Sequence, residues 1–247
     1  MPTHFQPAAL KFLTSLARHN DRVWFLPRKA IYERELKLPL LSLIEDINEA
    51  MVAFAPDYIR PAHKTMLRIY RDTRFAKDKR PYKRQVSAWW ARHGMEKIDS
   101  AGFYLHIHPS EVVIFGGVHP EREHLLAIRR WLAEHPEEYR AQLKSVLKKR
   151  GMTPPFAVID PRALTRMPKG FPADHPAGDL LRAKNWGVRV SLPPTLVTSP
   201  NLVKEIVARF RAVAPLVDTL NEAILAGERA LRPTANDAER TPRRPLF

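Results

Sequence analysis

The chain is predicted to fold as an α+β protein, with an antiparallel sheet of about four to six strands flanked by N-terminal and C-terminal helices. Three observations carry this expectation. Apolar residues recur every three or four positions near both ends. Between Met66 and Gly117 the period falls towards two. The strand-like runs there follow one another through short connections, so the βαβ rhythm of a parallel sheet is absent.

Taken in order, Pro7 with Leu10, Leu13 and Leu16 predicts a first helix ending at His19-Asn20-Asp21. Pro27 opens a longer helical stretch in which Leu40, Ile44, Ile47, Met51 and Phe54 share one face, with a kink expected at Pro39. Met66–Arg71, Val86–Trp90, Gly102–His108 and Val112–Phe115 read as strands, the last two joined by a hairpin at Pro109-Ser110. Pro120 and Pro136 each open a helix, the second ending at Gly151. Residues 152–178 carry prolines at 154, 155, 161, 168, 172 and 176 and predict a long irregular loop. Leu180–Trp186 predicts a helical turn and Val188–Leu192 a further strand. Ser199-Pro200 caps a last helix whose stripe is Leu202, Ile206, Phe210, Val213, Val217, Leu220 and Ile224, bent at Pro215. The expected domain spans residues 5–228, and residues 229–247 are expected to form a disordered basic tail.

Composition bounds the function. With 45% apolar residues in 247, a core needs neither disulfides nor structural metal. The absence of cysteine excludes disulfides, iron–sulfur clusters, thiolate zinc sites and cysteine nucleophiles. No apolar run approaches the ~18 residues of a spanning helix, and Met1–Phe5 lacks a signal-peptide layout, so a cytoplasmic protein is expected. The formal charge of +15 is not a property of the tail, which contributes +3 from five Arg against Asp237 and Glu239. A field of this sign attracts nucleic acid, phosphorylated metabolites or acidic lipid surfaces.

The charge concentrates in RIYRDTRFAKDKRPYKR, Arg68–Arg84, with eight Lys or Arg, two Asp and three aromatics. Extended, it would alternate Arg68, Tyr70, Asp72 and Arg74 on one face with Ile69, Arg71, Thr73 and Phe75 on the other. Guanidinium forks match phosphate oxygens and the aromatics can stack on bases, so Arg68, Tyr70, Arg71, Arg74, Lys77, Lys79, Tyr82 and Lys83 are candidate ligand-binding residues. The alternative is a solvated basic rim in which Asp72 and Asp78 pair with neighbouring cations.

His106 and His108 lie two apart on a predicted strand with Tyr104 on the same face. His106 is a candidate acid or base, partnered by Asp72, and Tyr104 a candidate ligand contact. A metal would need a third ligand, for which His63, Asp72, Glu111 and His119 are candidates that spacing does not place together; no metal and no particular cofactor is predicted. Lys169, Arg182 and Lys184, with Arg162 and Arg166, are candidates for a cationic lid over the sheet. No phosphate loop, dinucleotide glycine triplet, nucleophile elbow or zinc-protease helix occurs.

The stretches RIYRDTRFAKDKRPYK, GFYLHIHP and FGG, the helix with AIRRWL, and MPKGF with LLRAK resemble, in this order, the conserved hypothetical family called domain of unknown function 2461, found in bacteria and fungi. The resemblance runs from about Phe5 to Ala226. It implies one family domain and no established activity. The family pattern falls on Arg68, Arg71, Asp72, Arg74, Phe75, Lys77, Asp78, Lys79, Pro81, Tyr82, Lys83, Tyr104 and His106, with His108 outside it. The leading expectation is a site for a phosphate-bearing small molecule or nucleic acid. The rivals are a hydrolase or transferase acting on a phosphorylated substrate, and a scaffold for an acidic protein.

Overall fold

The computed structural model describes residues 3–95, 100–149, 151–154, 156–159 and 163–231. Pro155, Pro161, Arg162 and the tail from residue 232 lie outside the described residues.

Helices open the chain. Helix α1 (Pro7–Arg18) buries Ala9, Phe12, Leu13 and Leu16. Asp21 accepts a hydrogen bond from Trp24 N at 2.8 Å and so caps α2 (Arg22–Phe25). After α3 (Lys29–Tyr32) the helix widens into a π-helical turn, Glu33–Lys37, and continues as α4 (Leu38–Met51). The disturbance expected at Pro39 is therefore taken up one turn earlier: proline offers no N–H to the preceding turn and crowds its carbonyl, and a wider turn accommodates both.

Helix α5 (Ala62–Thr65) leads into β1 (Met66–Leu67), followed by β2 (Val86–Ala91), β3 (Gly102–His108) and β4 (Glu111–Val118). Helices α6 (Arg122–Glu134) and α7 (Pro136–Leu147) precede β5 (Ala157–Val158), α8 (Gly178–Arg182), β6 (Trp186–Leu192) and α9 (Leu202–Leu231). The six strands form one antiparallel sheet in the order β1-β2-β3-β4-β6-β5. The Pro109-Ser110 hairpin brings His108 opposite Glu111.

Three expectations change. The strand predicted over Met66–Arg71 stops at Leu67, because the chain leaves the sheet into a long loop. The Pro-rich segment contributes a short strand, β5, to the sheet edge. Helix α9 runs past Gly227 to Leu231.

One sheet face is dry. Val86, Ala88 and Trp90, then Phe103, Leu105 and Ile107, then Val112 and Ile114, and finally Val188, Val190 and Leu192 are all at most 3% exposed. Helix α9 lies against this face, with Phe210 at 5.1 Å from Trp90 and 5.0 Å from Phe103, ring centre to ring centre. All seven residues of its expected stripe are at most 1% exposed, each contributing ~1.5–3 kcal/mol of burial. Helix α9 comes this close because β4 carries Gly116 beneath Val213. Strand alternation then sends Ser87, Trp89, Tyr104, His106, Phe115, Arg189 and Ser191 to the opposite face. That face is only partly covered: Tyr104 and His106 are half-buried, and Arg189 and Ser191 are exposed.

Candidate functional site: a cationic recess and an aromatic cleft

The segment Arg68–Arg84 is a closed loop rather than a strand. Tyr70 and Tyr82 bridge at its base, with Arg71 N donating to Pro81 O and Lys83 N to Ile69 O, both at 2.8 Å. The base is anchored to the N-terminal helices. Asn20 Nδ2 donates to Tyr82 O and Asn20 Oδ1 accepts from Tyr82 N, each at 3.0 Å, while the Tyr82 ring stacks on Phe25 at 4.1 Å. Tyr82, 2% exposed, thus holds the loop in place.

Two Asp-x-Arg triplets shape the rest. Asp72 accepts from the Arg74 backbone at 3.1 Å and from its guanidinium at 2.8 Å. Asp78 accepts from the Arg80 backbone at 3.1 Å, from Arg80 Nη2 at 2.7 Å and from Arg71 Nη1 at 2.8 Å. These bonds to Arg74 and to Arg80 hold the Asp72 and Asp78 carboxyls below the usual carboxylate range. Lys79 Nζ donates to the Thr73 and Arg74 carbonyls across the loop. By contrast, the side chains of Arg68, Lys77, Lys83 and Arg84 make no hydrogen bond or ion pair among the described residues. Burial, and then the neighbouring Arg68, push the Lys83 ammonium below its ordinary pKa.

At the base of the loop Asn20, Arg71, Asp78, Arg80, Tyr82, Lys83, Arg84 and Gln85 enclose a recess of about 220 Å³. Four cations meet one carboxylate there.

A second cavity, about 710 Å³, lies on the partly open sheet face between Leu67, Trp89, Tyr104, Phe115, His119, Ile159, Asn185 and Arg189. Its floor follows from glycine. Gly102, Gly117 and Gly187 fall in one cross-strand row, and the neighbouring aromatics lie down over it. A Cβ on Gly102 would come within 2.9 Å of the Trp89 ring, and one on Gly117 within 3.1 Å of the Phe115 ring. The Trp89 and Phe115 rings are 6.1 Å apart and only 24° from parallel, and His119 stacks on Phe115 at 5.2 Å. Trp89 Nε1 is buried without a hydrogen-bond partner among the described residues.

Between the cavities lies a polar row. His106 pairs across the ladder with Ser87 on β2 and Val113 on β4. Its Nδ1 is 3.3 Å from the Tyr104 hydroxyl. Burial lowers the His106 pKa to about 4, with the charges of His108 and Arg189 acting in the same sense and Glu111 opposing, so the imidazole is neutral at pH 7. Burial raises the Tyr104 pKa, while hydrogen bonding to Ser87 and Gln85 opposes that rise. His108 is lowered by burial and by Arg84. Gln85 and Arg84, both lining the recess, therefore also border the polar row.

The expected site residues are thus distributed. Arg71, Tyr82 and Lys83 line the recess and Tyr104 the cleft. Arg68, Tyr70, Arg74, Lys77 and Lys79 line neither, with Arg68 beside Lys83. Asp72 is exposed and bound by Arg74, and among the described residues it shares no hydrogen bond, ion pair or cavity with His106. Lys169, Arg182 and Lys184 line neither cavity; among the described residues of the Pro-rich segment, Ile159 borders the cleft. The described residues contain no group of three or more His, Cys, Asp or Glu able to hold a metal. The sequence pattern does not mark Trp89, Phe115, Arg189, Arg80, Arg84 or Gln85 individually as site residues. The signal that could have found the first two is the pairing of large aromatics with glycines one row away.

Among the described residues no helix is long and apolar enough to cross a membrane. No curated protein and no solved structure matches the chain. The family model described as "Conserved hypothetical protein (DUF2461)" matches residues 8–218, taking in the loop, the recess and the sheet face, and the chain belongs to this family.

Proposed function

We propose that the protein binds a phosphate-bearing ligand, with a phosphate group held in the recess at the base of the Arg68–Arg84 loop. The observation that carries this is the inventory of the recess: Arg71, Arg80, Lys83 and Arg84 against Asp78 alone, with Asn20 and Gln85 supplying neutral polar groups. Arg71 and Arg80 are fixed in orientation by Asp78, and Lys83 and Arg84 carry charge that no carboxylate among the described residues takes up. Like charges held together repel, and an entering oxyanion relieves that repulsion while accepting charge-assisted hydrogen bonds. A recess, rather than an open stripe along the loop, favours a compact phosphate group over a long polyanion. Asp72, paired with Arg74 and lining neither cavity, has no acid–base part with His106 in this reading.

Calorimetric titration with inorganic pyrophosphate tests this. Wild type is expected to bind, and Arg84→Ala or Lys83→Ala to bind at least tenfold more weakly, since a hydrogen bond to a charged group is worth ~1.5–3 kcal/mol and 1.4 kcal/mol is about tenfold. Both side chains are free of structural bonds, so the variants should melt with wild type. Unchanged affinity in both variants contradicts the assignment. If a single-stranded oligonucleotide binds instead, with affinity falling steeply with salt and no binding of pyrophosphate, the partner is a polyanion.

A further inference from the structure

The aromatic cleft takes no part in the phosphate reading of the recess and shares no lining residue with it, yet one contact links the two. Gln85 lines the recess and bonds Tyr104, which lines the cleft. Trp89 lies four residues beyond Gln85 on an extended chain, about 13 Å at roughly 3.3 Å per residue. Along that line cations are followed by the half-buried polar groups Gln85, His106 and Tyr104, with Ser87 buried beneath them, and then by the cleft lined by the half-buried Trp89, the buried Phe115, Asn185 and the exposed Arg189.

We infer that the cleft takes the ring of a nucleotide whose phosphates occupy the recess, so that the ligand is a nucleoside di- or triphosphate lying along β2. This rests on the phosphate reading of the recess. Three features of the cleft carry it. The half-buried Trp89 ring lines the cleft beside a glycine row, 24° from parallel with Phe115, and an aromatic face of this kind suits stacking of a heteroaromatic base independently of base identity. The guanidinium of Arg189 is held only loosely, 3.7 Å from Glu111, and Asn185 lines the same cleft, so both offer groups that can hydrogen-bond the edge of a stacked ring. The volume of about 710 Å³ lies in the range of small-molecule sites rather than of packing defects. The separation also sets the ligand's length: a monophosphate would leave either the cleft or the recess unoccupied, whereas two or three phosphates reach from a sugar at the polar row into the recess. At that row the neutral His106 and the Tyr104 hydroxyl would face the sugar.

Binding of ATP, GTP, CTP and UTP is compared with binding of inorganic tripolyphosphate and of adenosine, in wild type and in Trp89→Ala, Arg189→Ala and Lys83→Ala. The nucleotides are expected to bind at least tenfold more tightly than tripolyphosphate, and all three substitutions to weaken them at least tenfold. Only Lys83→Ala should weaken tripolyphosphate. Arg189 is exposed, so its variant keeps the test decisive if Trp89→Ala fails to fold. Nucleotides binding no more tightly than tripolyphosphate, with no effect of Arg189→Ala, overturn the inference and leave the recess assignment standing. Failure of both tripolyphosphate and nucleotides to bind overturns the recess assignment and this inference with it.

Discussion

Replacing Gly116 by alanine should destabilise the fold while leaving the proposed site intact, because strand alternation aims the new methyl group at the helices. A Cβ built on Gly116 lies 2.5 and 2.6 Å from the two Cγ atoms of Val213 and 3.1 Å from its Cβ. Carbon atoms in good contact sit about 3.5–4.0 Å apart, so the overlap is close to 1 Å. Val213 is fully buried and β-branched, and a stiff χ1 gives it no rotamer to escape into. Overpacking of this kind costs about 1–3 kcal/mol. At roughly 2–4 °C per kcal/mol for a chain of this size, Gly116→Ala should lower the melting temperature by about 2–12 °C. Removing both Cγ atoms in Gly116→Ala/Val213→Ala should relieve the clash, so that the double variant is more stable than the sum of the single changes by about 1–2 kcal/mol. Thermal denaturation followed by circular dichroism reads both quantities, and pyrophosphate titration should return wild-type affinity for every variant that is folded. A Gly116→Ala protein melting within 1 °C of wild type, or strict additivity in the cycle, would refute the packing of α9 on β4 from which the free sheet face follows.

Two further outcomes are expected. His106 has a folded-state pKa of about 4 against an ordinary 6.5, so between these values the unfolded chain binds more protons at this position; stability is full above about pH 6.5 and falls as the pH drops towards 4, by up to about 3 kcal/mol. The difference between wild type and His106→Gln in urea midpoints across pH 4–7 isolates this contribution, and parallel profiles would contradict the burial of the imidazole. Phe75, 95% exposed at the loop with Arg74 over its ring at 5.9 Å, contributes nothing to the core, so Phe75→Ser should leave stability within about 0.5 kcal/mol and pyrophosphate affinity unchanged. A larger loss of either would show that the loop folds back onto the body of the protein.

Much of the fold was legible because its signals are local. The α9 stripe and the Phe103-Leu105-Ile107 alternation each follow from the period of a single element, and Pro109-Ser110 marks its own hairpin. Pairing over distance was less accessible. Strand β5 is two residues long within a Pro-rich segment and exists through its ladder to Arg189 and Val188. The start of the loop reads as strand because Met66–Arg71 has β-compatible composition, whereas the Tyr70–Tyr82 closure depends on Asn20 far away in sequence. Its internal ion pairs carried a usable signal: Asp72-Thr73-Arg74 and Asp78-Lys79-Arg80 both place an arginine two residues after an aspartate that can close an Asx turn. That repeat assigns Arg74 and Arg80 to the aspartates and directs attention to the cations left over. Trp89 and Trp90 are adjacent, and only the strand register decides that Trp90 fills the core while Trp89 floors the cleft. Gly102 and Gly117, and with them the flatness of that floor, likewise acquire meaning once β3 and β4 are paired.

The most direct measurement is anomalous diffraction from crystals soaked in tungstate, a heavy oxyanion that locates phosphate sites. The account predicts a peak in the recess bounded by Arg71, Arg80, Lys83, Arg84 and Gln85, absent from crystals of Arg84→Ala. An empty recess in soaked wild-type crystals, with tungstate bound elsewhere on the surface or nowhere, would contradict it.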